Sequence, residues 1–229
     1  MASQGVDRAT LTERVYTTLR LEVLNGLRAP GARLNEKELA AQLGVSPTPV
    51  REALNKLRSE GIVQYRPWLG TVVMEFGVED VLHLSDIRLY LECLAVREAS
   101  ARLDAAGLHE LERCAAAYAS AAAAAVPGDP SVAEANAAFH GFFAQWSGNR
   151  WLQQMLISLE GLLVLARRPL SVHRTGADSI PEHAAIVSAL QALDSDGAEA
   201  AMRSHLVRVR DALLTEVGGR FGLTDSAPI

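Results

Sequence analysis

Residues 36–76 read EKELAAQLGVSPTPVREALNKLRSEGIVQYRPWLGTVVMEF, and they decide the fold of the N-terminal part. The run EKELAAQLG has helical periodicity and closes on Gly44, a stop that favours glycine. Ser46 stands where an N-cap belongs, ahead of PTPVREALNKLRSE, and Gly61 follows as a C′ glycine. Within that second run Val50, Ala53, Leu54 and Leu57 fall on one stripe, while Thr48, Arg51, Asn55 and Arg58 fall on the opposite one. Beyond Gly61 the composition turns β-branched and aromatic: IVQYR, then PWLG as a turn, then TVVMEF, which predicts a β-hairpin.

Upstream, Leu11, Val15, Leu19, Val23 and Leu24 recur at helical spacing from Thr10 to about Asn25, with Thr12 as the cap region and Gly26 as the stop. Pro30 and Gly31 mark a turn before the next helix. Three short helices followed by a hairpin is the order of a winged helix-turn-helix. A short capped helix showing Thr, Arg and Asn on its free face fits the major groove, where such side chains meet base edges and phosphates. Taken alone, the same stripe also fits a solvated amphipathic helix.

Downstream of Phe76 strand signals vanish, and six helices are predicted at about 78–103, 107–125, 131–147, 149–168, 180–194 and 196–217. The breaks are Gly107, PGDP at 127–130, Gly148-Asn149, the RPLSVHRTGADS loop and DSDG at 194–197. The expected fold class is mainly α: a winged helix-turn-helix over residues 1–76, then an all-α antiparallel helical bundle over residues 77–229. The Ala-rich run at 115–125 reflects helix propensity alone.

The formal charge of −5 is unevenly divided: residues 1–76 carry 10 Lys+Arg against 8 Asp+Glu, residues 77–229 carry 12 against 19. A mildly basic head on an acidic body permits nucleic-acid binding by the head. The first residues have no apolar core for a signal peptide and no stretch is long enough to span a membrane, so a cytoplasmic protein is expected. Cys93 and Cys114 share no metal or disulfide spacing and are expected reduced and buried.

The stretch from Val15 to Val73 resembles the GntR family of bacterial regulators. The matching residues are Gly26, Pro30-Gly31, Leu34, Leu39-Ala40, Gly44-Val45-Ser46, the block Thr48 to Leu54, Leu57, Gly61 and wing Gly70. The resemblance implies that Lys37, Ser46, Thr48, Arg51 and the wing around Gly70 meet double-stranded DNA, and Asn55 shares the exposed stripe with them. Pro47 departs from the pattern, since many relatives carry Arg there, so the operator is expected to differ. For Trp68, packing on the domain is expected over a contact with the sugar-phosphate backbone.

Asn136 and His140 lie four apart on one helix face, and His183 and His205 lie on two other predicted helices. If these helices are neighbours, the four side chains converge as ligands for a divalent ion; scattered histidines equally suit surface or core roles. The C-terminal part resembles the FCD ligand-binding domain of FadR-type GntR regulators, in its six-helix VanR-like form. That resemblance implies a metal held by Asn136, His140, His183 and His205, with zinc expected and nickel or manganese as alternatives. Asn136 stands where many relatives have Asp, which implies weaker, labile binding. Arg88 and Glu92 match the family's R-x-x-x-E pattern. Arg88 either faces the cavity to bind a small carboxylate effector or forms an internal ion pair with Glu92. His83, His109 and His173 are expected at the surface.

The resulting expectation is a homodimeric repressor that binds a palindromic operator and is modulated by a small organic acid, with no catalytic residues and with nucleoid association when on DNA. Two rivals stand beside it. A metal-dependent enzyme domain fused to a DNA-binding head would need a general base, and no HExxH or nucleophile elbow is present. A non-specific DNA-architectural protein would use the helical body only to dimerise.

Overall fold

The computed structural model describes residues 4–124, 130–167 and 176–221. Two compact units emerge, the first built on Met1–Gly77 and the second on Val78–Leu163 and Arg167–Ile229. In the first, α1 (Gln4–Leu24), α2 (Glu36–Leu43) and α3 (Pro47–Ser59) precede β1 (Val63–Arg66) and β2 (Gly70–Val73). The strands pair antiparallel from Val63↔Val73 to Arg66↔Gly70, and Arg33 adds an isolated bridge to Val72.

The expected stripe of α3 is the buried one: Val50, Ala53 and Leu57 are fully covered and Leu54 nearly so. Truncating one such leucine to alanine costs about 2–5 kcal/mol. Gly44 takes the left-handed conformation at φ 64 and closes α2 through its N–H to Ala40 and Ala41 carbonyls. The start of α1 differs from expectation. The helix begins at Gln4, so Thr12 is no cap; its hydroxyl donates to Glu52 on α3 at 2.8 Å. Tyr16 donates to Glu60 at 2.6 Å, and Lys56 reaches Glu13 at 2.9 Å while lying 3.7 Å above the Tyr16 ring. These ties fasten the back of α3 to α1 and leave its other face outward.

The second unit holds α4 (Val78–Ser100), α5 (Ala105–Ala124), α6 (Pro130–Trp146), α7 (Arg150–Arg167), a single 3-10 turn (Ala177–Ser179), α8 (Ile180–Gln191) and α9 (Ser195–Phe221). The six expected helices are present, with α9 running to Phe221. Gly107, expected as a break, lies inside α5, whose first turn is capped by Asp104 accepting from the Gly107 N–H at 2.8 Å. A Cβ on Gly107 would sit 2.7 Å from the Trp146 ring, so the glycine marks close packing of α5 on α6. Gly148 does break the chain, at φ 67. Pro127 to Asp129 and the RPLSVHRT part of the expected loop lie outside the described residues.

The core of this unit gathers Val96, Leu111, Phe139, Phe143, Ile186 and Met202, each fully or almost fully buried. Cys93 is a buried free thiol, whereas Cys114 is only partly buried. Burial and the Glu199 and Glu92 charges push the Cys93 thiol up to about 11, beyond thiolate chemistry at neutral pH.

Candidate functional site

The exposed side of the first unit carries the polar residues expected to read DNA. Lys37, Ser46, Arg51 and Asn55 are exposed, and Thr48 is half-buried at the first turn of α3. Ser46 occupies the N-cap position of α3 with extended geometry, yet its hydroxyl makes no capping bond, and Pro47 fills the first helical position. That hydroxyl and the free N–H groups of the first turn therefore stay available to an anion. Arg51 is held by Glu36 at 2.9 Å and Arg58 by Asn55 at 3.0 Å, both in solvent, so these contacts are weak and exchangeable.

The wing corrects one expectation. Trp68 is 99% exposed and packs on nothing. Pro67, Trp68 and Leu69 form the loop between the strands, with Leu69 N–H bonded to the Arg66 carbonyl at 3.2 Å and Trp68 at φ 69. The proline presets the first central position of this turn and the second must take positive φ, which aims the indole away from the hairpin. Gly70, at φ 81, pairs with Arg66 as the first residue of β2.

In the second unit, α6 brings His140, α8 brings His183 and α9 brings His205 to one place. They are 7%, 1% and 2% exposed, and their available ligand atoms all lie within 4.8 Å of one another. The ring centroids of His183 and His205 are 4.8 Å apart, and each lies 5.3 Å from that of His140. Phe139 stacks on His183 at 3.9 Å, and Tyr118 lies 4.4 Å from the same ring. Asn136 sits one turn before His140 on α6, half-buried. His83 and His109 are exposed as expected, and His173 lies outside the described residues.

Two carboxylates set the ring orientations. Glu92 on α4 accepts from His140 Nδ1 through one oxygen and from Arg88 Nε through the other. Glu182 accepts from His205 Nδ1 at 2.6 Å and also from Arg208, whose Nη2 donates to Ser179 at 2.9 Å as well. Carboxylate-to-imidazole contacts of this kind fix the tautomer and leave Nε2 as the metal-facing nitrogen. The internal ion pair is present, with Arg88 Nε on Glu92, while the buried Nη2 of Arg88 has no hydrogen-bond partner.

The orphaned atoms decide what the cluster fits. His140 Nε2 and both nitrogens of His183 are buried without hydrogen-bond partners. Leaving such groups unsatisfied costs about 1–3 kcal/mol each, whereas three converging imidazoles are a ready donor set for a divalent transition metal. Burial and the neighbouring His140 charge hold His205 down at about 4; burial with His140 and His205 holds His183 down at about 2. Against the upward pull of burial, Arg88 and His140 keep Glu92 well below the usual carboxylate range.

A pH dependence follows for metal-free protein. His183 and His205 stay neutral in the fold but take protons when unfolded below about 6.5, so the unfolded chain binds more protons. Stability is then complete above pH 6.5 and falls on acidification, by about 2 kcal/mol for each of the two at pH 5. Chelator-treated protein is expected to melt at steadily lower temperature from pH 7 to pH 5, and His183→Phe to flatten that slope.

Sequence reading found Arg88, His140, His183 and His205 and noted Glu92, but only as a partner for Arg88. It missed Glu182, whose single-residue offset from His183 carries no helical-face signal.

Comparison with known proteins agrees with this division. Residues 11–73 match the model of bacterial regulatory proteins of the gntR family, and residues 83–208, more than half of the chain, match the FCD domain. The chain is 30% identical over 221 residues to the "Probable D-xylose utilization operon transcriptional repressor" of Paenarthrobacter nicotinovorans, covering 95% of each. It is 28% identical over 204 residues to the HTH-type transcriptional repressor RspR of Escherichia coli K12, covering 89% of each. The solved structure of E. coli McbR/YncC superposes with a TM-score of 0.75 at 28% identity, over 90% of this chain and 98% of that one. FCD domains bind metal ions, in keeping with the three-histidine cluster. No described helix is long and apolar enough to cross a membrane. The relatives and both family models are transcription regulators rather than enzymes, and the chain belongs to the GntR family of bacterial regulatory proteins, as a winged helix-turn-helix joined to an FCD domain.

Proposed function

We propose that the protein is a cytoplasmic repressor that binds a palindromic operator as a homodimer and releases it when a small carboxylate enters the FCD domain. The observation that carries this reading is the buried cluster of His140, His183 and His205, with unpartnered imidazole nitrogens beside the free Nη2 of Arg88. Zn²⁺ held by these histidines, with Asn136 as a fourth donor, would act as a Lewis acid that attracts a carboxylate oxygen. Arg88 would take the same carboxylate through charge-assisted hydrogen bonds. Glu92 serves both, orienting His140 with one oxygen and Arg88 with the other.

Regulation needs only that the acid and DNA favour different states, because the coupling between two ligands is reciprocal. Support for a dimer comes from α4, where Ile87, Tyr90 and Leu94 are 50%, 68% and 41% exposed at i, i+3, i+7 spacing, an apolar stripe of the kind a twofold interface covers.

On DNA, α3 would enter the major groove with Ser46, Thr48, Arg51 and Asn55 toward bases and phosphates, flanked by Lys37 and the wing around Gly70. Trp68 at the wing tip would lie against sugars or bases of the adjoining groove. Trp68→Ala is therefore expected to weaken DNA binding by about 1 kcal/mol, about fivefold, on specific and random duplexes alike. Indole fluorescence in the parent protein should change on adding DNA, and an unchanged Kd would return Trp68 to an idle surface residue. Selection of bound fragments from random duplexes tests the function itself: an inverted repeat is expected, and enrichment of no motif would favour an architectural protein.

A further inference from the structure

Among the described residues Trp68, at 99%, is the most exposed large hydrophobic side chain, and it does not stand alone. Its neighbour Leu69 is 50% exposed, Tyr65 is 62% exposed, and Pro67 between them is exposed as well. The turn from Arg66 to Leu69 closes with the Leu69 N–H on the Arg66 carbonyl, and Trp68 holds its third position at φ 69. That position suits Gly or Asn, because a Cβ is strained at positive φ, and a bulky aromatic there is an outlier. An indole held in strained backbone and left in solvent gains nothing from the fold, so its use lies in a contact outside the chain.

Charge identifies that contact. The stretch 62–73, IVQYRPWLGTVV, holds no acidic residue. Arg66 ends β1 beside the turn with its side chain 41% exposed, and the exposed Arg33 bridges to Val72 on the edge of β2 away from β1. The nearest acid is Glu75, past the end of β2, and it is taken up by Arg66 at 2.7 Å. An apolar tip flanked by cations fits a polyanion with an apolar interior, which is what a stacked duplex is. The wing also continues the DNA-reading surface, since α3 and the hairpin belong to one unit and both fall in the stretch that matches gntR regulators. With α3 in the major groove, the wing reaches the minor groove beside it. The floor and walls of that groove are polar base edges and sugar-phosphates, so an indole is covered there only by passing between stacked bases. Apolar side chains that do so unstack one step and kink the duplex toward the major groove.

We propose that Trp68, backed by Leu69, is a wedge that enters a base step of the minor groove beside the α3 site and bends the operator. This rests on the DNA-binding reading above and adds to it the depth of the contact and the shape of the bound DNA. Stacking gained by the indole and stacking lost by the bases largely offset each other, so Trp68→Ala loses only about fivefold in affinity while losing most of the bend.

The test is energy transfer between dyes at the two ends of a short duplex carrying the selected operator, with 2-aminopurine placed in turn at the base steps flanking the α3 site. Full-length parent protein is expected to bend this duplex by about 20–90° and to brighten the probe at one flanking step. Under Trp68→Ala the duplex should stay nearly straight and the probe dark, and Trp68→Phe, which keeps an aromatic wedge, should restore most of both signals. The side chain lies in solvent, so the three proteins should melt together and no loss is owed to folding. A straight duplex under the parent, or an equal bend and an equally bright probe under Trp68→Ala, would overturn the wedge and leave DNA binding intact. No binding of any duplex by the parent would remove the DNA-binding reading and the wedge together.

Discussion

A His183→Phe variant is expected to lose metal binding while keeping, or slightly raising, the stability of the metal-free protein. The ring is 1% exposed, is stacked on Phe139 at 3.9 Å, and has both nitrogens buried without a hydrogen bond. In metal-free protein those nitrogens are a liability of about 1–3 kcal/mol each that a phenyl ring removes. Added bulk in a close-packed site returns about 1–3 kcal/mol of strain, so the two effects roughly offset. With metal the balance reverses, because one of three imidazoles is gone and zinc affinity should fall by more than the 10–100-fold typical of losing an orienting partner. Zinc at about 100 times its Kd stabilises the parent by about 2.7 kcal/mol, a rise of about 5–11 °C in Tm for a chain of this size. Melting curves with zinc and with chelator would show that rise in the parent and none in the variant. An undiminished zinc increment in His183→Phe would place the metal elsewhere.

The second large effect is at the DNA. Arg51→Ala should weaken binding to the selected operator by about 1–3 kcal/mol, about 5- to 150-fold, and relax sequence preference at the bases it meets. Its ion pair with Glu36 is solvent-exposed, with Arg51 at 60%, so the melting temperature should barely move. Fluorescence anisotropy on operator and scrambled duplexes separates the alternatives. A large loss on operator with a small loss on scrambled DNA fits base reading, and equal losses on both would make Arg51 a phosphate contact.

How much of this was legible in the sequence depended on whether a feature has a period. The α3 stripe of Val50, Ala53, Leu54 and Leu57 repeats at helical spacing, and Gly44 and Gly61 mark helix ends by their tolerance of positive φ, so the helices and hairpin of the winged domain are legible from local sequence. The histidines were legible as a set only through family resemblance, because their approach depends on α6, α8 and α9 packing together, which no local spacing reports. Glu182 stayed hidden for the same reason, and Glu92 showed half of its role because the i,i+4 relation to Arg88 is local and the contact with His140 is not. Trp68 departs from the expectation of packing because a large aromatic is ordinarily covered, and only the turn geometry of Pro67-Trp68 turns it outward. The apolar period starts at Leu11 and so points to a cap at Thr12, while the helix itself continues back to Gln4.

Metal, acid and DNA are expected to act on one protein through a linked equilibrium. The most direct measurement is the affinity of zinc-loaded protein for its selected operator as a small carboxylic acid is titrated in, with chelator-treated protein run in parallel. A coupling of about 1–3 kcal/mol is expected, a fall in DNA affinity of about 5- to 150-fold that disappears when the metal is removed. DNA affinity that stays constant at acid concentrations that saturate the FCD domain would contradict the account, since a ligand that binds both states equally regulates nothing.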